Sequence, residues 1–222
     1  MKAFELNDIN GYKALILDLD GTLLDSMGVW NEVDEIFLNK RGFEVTPDYT
    51  DVVKKSNMRQ SAEYTVKRFG LKETPEEVIA EWESTVEYEY AHTIKLKEGA
   101  KTFLEHAKAS GLRISCATAL NRKNAVAALT NNGVYQFFDK MVTLDDIDFE
   151  VNKSDPHIFV ETANALGVKI SECLVFEDVL SAVKGAKSGG FRTVAVYDDL
   201  GKREYSEACE TADYHIDDWR QI

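Results

Sequence analysis

Cysteine is scarce in this chain, positive charge is in short supply, and no apolar run approaches membrane-spanning length. The three cysteines, Cys116, Cys173 and Cys209, are odd in number and show no C-x-x-C spacing. Neither a disulfide framework nor a zinc site is expected from them; buried free thiols in a reducing cytoplasm are the simplest reading. Lys and Arg together number 26 against 39 Asp and Glu, a net charge of −13. That balance argues against nucleic acid or anionic membrane as a partner, because both demand basic patches. It also means that a phosphorylated substrate meets a repulsive average field, which local cations must reverse. No 18-residue apolar stretch offers a membrane span. The opening residues, Met1 to Asp8, have no apolar signal core. Internal repeats and low-complexity stretches are absent too. The expectation is a cytoplasmic protein, a monomer or weak homodimer.

What the chain does have is 44% hydrophobic content over 222 residues, enough for one large domain or a domain with an insert. Its centre is the stretch from Lys13 to Ser26. Tyr12 to Leu17 is an apolar run long enough for a buried strand. Asp18 and Asp20 follow at once. Side chains two apart on a strand point the same way, so both acids project from the strand's carboxyl end, where an open parallel sheet binds its ligands. Gly21 then permits a sharp turn. Two acids held together there repel, so a cation, a proton or a transferred group belongs to the site. The plainer alternative is a strand ending in solvated acids.

From about Ser26 to Lys97 only amphipathic helical patterns occur. Val29, Val33, Ile36, Phe37 and Lys40 mark one helix face, ended by Gly42. Thr46-Pro47-Asp48 and Thr74-Pro75-Glu76 start two more helices, each with an N-cap residue before a first-turn proline; the second runs long, through Glu76 to Ala91. After Lys97, helices at 99–110, 122–132, 155–166 and 181–188 alternate with strands at 112–117, 138–143, 173–176 and 191–196, with 214–216 as an edge strand. Such alternation implies a parallel sheet covered on both faces. The expected fold class is α/β: a core of residues 1–25 and 98–222 and a smaller all-helical domain, 26–97, inserted after the first strand.

Later strands end in further chemistry. Leu112 to Ala119 closes on the Thr118 hydroxyl, and Asn121 then caps a helix; a hydroxyl and free N–H groups at a helix N-terminus bind phosphate well, although a lone Thr there is usually an N-cap. Leu174-Val175-Phe176 ends in Glu177 and Asp178, and Mg²⁺ favours such oxygen ligands. Asp145, Asp146 and Asp148 read as a solvated loop. His92, His106, His157 and His215 read as structural.

The stretch Asp18-Leu-Asp20-Gly-Thr-Leu-Leu-Asp-Ser26 resembles motif I of the haloacid dehalogenase superfamily. Thr118, Lys153 in Asn152 to Phe159, and Glu177-Asp178 resemble motifs II, III and IV, in order, with Ser154 replacing the usual proline after Lys153. The resemblance implies a Rossmann-like core with a helical cap. It implies that Asp18 is a nucleophile forming an aspartyl-phosphate and that Asp20 is a general acid/base. Mg²⁺ would be held by the Asp18 and Asp178 carboxylates and the Asp20 backbone carbonyl, with Glu177 behind them or holding Lys153. Thr118, Ala119 and Lys153 would bind phosphate. Dehalogenases lack the second Asp, so the resemblance implies phosphoryl transfer on a small phosphorylated metabolite, with a sugar phosphate as the expected substrate. In the cap, Asn57-Met58-Arg59 resembles a substrate loop of β-phosphoglucomutase relatives: Arg59 would grip the substrate or form a surface salt bridge. Trp30 stands where the mutase pattern has a His, either on the sugar or in the core. Lys54 and Lys55 raise a phosphonatase reading. A phosphomutase and a catalytically silent phosphate-binding module remain open at this point.

Overall fold

Ala14–Leu17 (β2) is buried at all four positions, as a central strand with helices on both faces demands. The computed structural model describes residues 2–147 and 154–222. Among these, seven strands form one sheet in the order β1-β7-β6-β5-β2-β3-β4. The others are Lys2–Ala3 (β1), Arg113–Thr118 (β3), Lys140–Thr143 (β4), Cys173–Glu177 (β5), Arg192–Val196 (β6) and Tyr214–Ile216 (β7), and every paired neighbour is parallel. From β2 the chain builds outward through β3 to β4. It then returns to β2's other flank to lay down β5, β6 and β7. The sheet therefore reverses direction at β2, and the carboxyl ends of β2, β3 and β5 frame the switch point where open α/β sheets bind ligands.

Residues 1–12 read as a polar lead-in, but two of them form β1, which pairs with β7 and takes the sheet edge from it. A two-residue strand carries no periodicity, so only its long-range pairing reveals it.

The chain separates into two compact units, Met1–Ser26 with Ile94–Ile222, and Met27–Thr93. In the first, Ala100–Ala109 (α5), Arg122–Asn131 (α6), His157–Leu166 (α7), Leu180–Ser188 (α8) and Lys202–Thr211 (α9) cover the sheet. Helix α9 has no counterpart in the sequence reading: it buries only Ala208 and Cys209, too little to make an apolar stripe. All three cysteines are free and buried, and burial pushes the Cys173 thiol up to about 11. No described helix is long and apolar enough to cross a membrane.

The second unit is all helical: Val29–Asn39 (α1), Pro47–Val53 (α2), Met58–Phe69 (α3) and Pro75–His92 (α4). Its helix starts are local chemistry. Thr74 and Glu77 form a reciprocal capping box before α4, and Asn57 and Gln60 form one before α3. Asn57 to Arg59 is thus a helix entry rather than a loop. Arg41 closes the α1 end: it lies over the Phe37 ring, 3.7 Å from its centre, and binds Glu73 and Glu81 at 2.8 and 2.6 Å.

Inside this unit sits a buried carboxyl. Asp34 accepts a 3.0 Å hydrogen bond from the Tyr49 hydroxyl, which also lies 3.0 Å from Thr65 Oγ1. Burial pushes Asp34 up to about 6, and the Tyr49 bond offsets this only in part. The folded chain therefore keeps a proton that an unfolded carboxyl releases near pH 4. The charged form is penalised above pH 6, so stability falls as pH rises from about 4 to 6, by about 2 kcal/mol. Asp34→Asn is expected to remove this slope. Relative to wild type, its Tm gains about 4 °C more at pH 8 than at pH 4, read by thermal unfolding at both; equal differences at the two values would refute the account.

Candidate active site

Two strand ends bring the acids together, and a third adds a hydroxyl. Leu17 on β2 is level with Cys116 on β3 and with Phe176 on β5. Asp18 therefore stands one step before Thr118 and Asp178 on the flanking strands. Its N–H donates to the Phe176 carbonyl at 3.0 Å, which continues the ladder and holds the residue at the strand's end. Asp18, Glu177 and Asp178 are 3%, 0% and 4% exposed, and their carboxylates offer oxygens all within 4.8 Å of one another. Three buried negative groups this close repel strongly, and a cation among them relieves that repulsion. An all-oxygen donor set at this spacing fits Mg²⁺.

The turn after β2 is tightly built. Gly21 takes φ 76°, a left-handed value natural to glycine. Its N–H reaches the Leu24 carbonyl, and the Leu23 and Leu24 N–H groups both reach the Leu19 carbonyl. Asp20 is half-buried and accepts a 2.5 Å hydrogen bond from the Ser26 hydroxyl.

Thr118 is fully buried at the end of β3, and its Oγ1 accepts from the Leu120 N–H at 3.2 Å. Ala119 is exposed, and Asn121 caps α6 through the Asn124 N–H at 2.8 Å. A hydroxyl, an exposed backbone turn and a helix N-terminus thus share one strand end. Lys153 and Asp148 lie outside the described residues. Glu177 turns one carboxylate oxygen back onto the Val179 N–H at 3.2 Å.

Asp145 and Asp146 are not merely solvated. Asp146 binds Arg122 at 2.5 Å and accepts from both the N–H and the hydroxyl of Thr143 at 2.8 Å, while Asp145 accepts from the Arg122 N–H. They fasten β4 to the start of α6, and the Arg122 guanidinium holds the Asp146 carboxyl below its ordinary value against the opposing effect of burial.

In the helical unit, Arg59 forms a salt bridge to Glu76 at 2.6 Å and a hydrogen bond to Glu63 at 2.9 Å. The salt-bridge reading describes its geometry. Trp30 is 47% exposed, so it is not core. Lys54 and Lys55 are exposed at the end of α2.

Three residues escaped the sequence reading. Lys97 sends its ammonium to the carbonyls of Gly21 and Tyr197 and, at 3.0 Å, to the Asp198 carboxylate. A cation thereby clamps the acidic turn to the end of β6. Thr22, fully buried, donates from Oγ1 to Asp178 Oδ1 at 3.1 Å. Trp219, near the chain's end, donates its indole N–H to the Thr22 carbonyl at 3.0 Å. Most lysines are solvated, and the other two are joined only by folding. A motif resemblance could have flagged Thr22, but no local signal marks Trp219.

Residues 15–196 match the family model of haloacid dehalogenase-like hydrolases. YhcW of Bacillus subtilis (strain 168), provisionally named a phosphatase, is 31% identical over 189 residues, 83% of each chain. The phosphorylated carbohydrates phosphatase of Thermotoga maritima is 24% identical over 182 residues, 82% of this chain and 83% of that one. Among solved structures, a Thermotoga maritima protein provisionally named a beta-phosphoglucomutase superposes with a TM-score of 0.79 at 23% identity, covering 92% of this chain and 94% of its own. YfnB of Bacillus subtilis, provisionally named a HAD-hydrolase and bound to magnesium, does so with a TM-score of 0.74 at 16% identity, covering 95% of this chain and 96% of its own. At these identities the two structures speak to the fold alone. The family match over most of the chain and the identity to YhcW go further: the chain belongs to the haloacid dehalogenase-like hydrolase family, as an enzyme of its phosphatase kind.

Proposed function

We propose that the chain hydrolyses the phosphate monoester of a small metabolite, a sugar phosphate in the first instance, with Mg²⁺ as cofactor and Asp18 as nucleophile. The observation that carries this reading is the buried trio Asp18, Glu177 and Asp178 at the sheet's switch point, beside Thr118 at the next strand end. The similarity to a phosphorylated carbohydrates phosphatase supports the substrate class, and the all-oxygen set of Asp18, Glu177 and Asp178 supports the metal.

The Asp18 and Asp178 carboxylates and the Asp20 backbone carbonyl would hold the ion, with Glu177 behind them. Bound there, Mg²⁺ supplies charge neutralisation and alignment for the transferring group. The rest belongs to the chain. Asp18 attacks phosphorus in line with the leaving oxygen, forming the aspartyl-phosphate. The Thr118 hydroxyl, the Ala119 N–H and the start of α6 bind the phosphoryl oxygens; Lys153 would add positive charge for the phosphate. Asp20, oriented by Ser26, gives its proton to the leaving alcohol and then takes one from the water that cleaves the intermediate.

The test is phosphate release from a panel of sugar phosphates and other phosphorylated metabolites, with and without Mg²⁺. Release from a few sugar phosphates, lost with the metal, is the expected result. Interconversion of two sugar phosphates without release would replace hydrolysis by mutase transfer. Silence across the panel and toward aryl phosphates would favour a phosphate-binding module.

A further inference from the structure

We infer that the end of the chain takes part in metal binding: the indole of Trp219, acting through Thr22, is a positioning residue for the Asp178 carboxylate. This rests on the reading of Asp178 as a Mg²⁺ ligand. The relay has two hydrogen bonds and passes through one residue. The Trp219 N–H donates to the Thr22 carbonyl, and the Thr22 hydroxyl donates to Asp178 Oδ1. Both bonds are buried, and Thr22, Trp219 and Asp178 are 0%, 3% and 4% exposed. Water therefore does not compete for either bond, and each is costly to leave unmade.

The tail has little freedom to move away. The Trp219 ring stacks on Phe176, with centroids 5.7 Å apart at 26°, and meets Phe103 at 4.9 Å. Phe176 immediately precedes the acids on β5. At the other side the backbone of Trp219 and Arg220 comes so near Gly99 that a Cβ there would lie 2.6 Å from Arg220 N. The indole is fixed on three sides, so it fixes the Thr22 peptide, and the peptide fixes the hydroxyl. A ligand carboxylate held in one rotamer loses less freedom when an ion arrives. Outer groups of this kind change metal affinity about 10- to 100-fold when removed.

The experiment is calorimetric titration of the metal-free full-length protein with Mg²⁺, a readout independent of turnover. Wild type must bind the ion first; if it does not, the metal reading itself fails, before any variant is made. Given that binding, Thr22→Val is expected to weaken Mg²⁺ affinity about tenfold. Thr22→Ser, which keeps the hydroxyl, should bind as wild type does. Trp219→Phe keeps a ring on Phe176 but loses the N–H, and is expected to weaken binding about three- to tenfold. The decisive comparison is the double variant. If Trp219 acts through the Thr22 hydroxyl, adding Trp219→Phe to Thr22→Val costs less than about twofold more, a coupling that independent sites do not show. Wild-type affinity in Trp219→Phe, or its full loss repeated on top of Thr22→Val, would overturn the inference. Thermal unfolding of each variant separates lost stability from lost metal: Thr22→Ser and Trp219→Phe each remove a little buried volume, so lower stability with unchanged affinity reports packing alone.

Discussion

Asp18→Asn is expected to lower kcat at least about 10⁴-fold, the scale seen when a nucleophile is removed from a covalent mechanism. The amide has nearly the shape of the carboxylate but cannot form the acyl phosphate. The substitution should leave the fold intact, since the amide keeps the shape of the carboxylate and the Asp18 N–H still bonds the Phe176 carbonyl. It should even help the metal-free protein. One of three mutually repelling buried carboxylates disappears, so Tm without Mg²⁺ should be equal to wild type or higher. Single-turnover phosphate release and thermal unfolding together make the check. A rate within tenfold of wild type would sink the nucleophile assignment. A lost rate with a collapsed Tm would show instead that Asp18 is structural.

The second large effect is at Asp20. Removing a general acid/base costs typically about 10²- to 10⁴-fold, and Asp20→Asn should fall in that range with a sugar phosphate. The amide oxygen can still accept from Ser26, so the turn should survive. The two half-reactions should respond differently. An aryl phosphate such as p-nitrophenyl phosphate has a leaving group that needs little protonation, so phosphorylation of Asp18 should persist. Hydrolysis of the phosphoenzyme still needs a base and should slow. The variant should therefore release a burst of p-nitrophenol stoichiometric with enzyme, followed by a slow phase. Unchanged steady-state turnover on both substrates would remove Asp20 from proton transfer.

Much of this architecture could be read from short-range patterns. The run from Ala14 to Leu17, the acids after it and the apolar run before Glu177 show where two central strands end. Alternating helix and strand after Lys97 establishes a parallel sheet. The proline-led helix starts at Pro47 and Pro75 are local signals, and the chain uses both. What escaped depends on distance. Strand β1 exists because β7 pairs with it. Helix α9 covers the sheet with few apolar residues. Helix α3 carried a readable signal, the Asn57 and Gln60 capping box, which a loop resemblance displaced. At the site, composition points to acids but not to the groups that hold them. Lys97 reaches across to residue 198, and Trp219 lies 197 residues from Thr22. Asp145 and Asp146 looked like surplus charge until Arg122 and Thr143 supplied their partners.

The stitching of the turn after β2 has a consequence for how such a chain could change over time. Leu24 bridges Leu96 in antiparallel fashion, the Asp25 N–H meets the Lys95 carbonyl, and the Lys97 N–H meets the Leu23 carbonyl. The chain leaves the sheet-bearing unit and re-enters it through two adjacent, mutually bonded segments. To that unit, everything from residue 27 to 93 is a single closed excursion. Closing a longer or shorter excursion across the same staple changes the entropy slowly, about 0.6 kcal/mol for each doubling of its length. An unrelated module could be exchanged at this port without shifting the register of any strand. The acids at the strand ends would then remain as they are, whatever segment occupies the excursion.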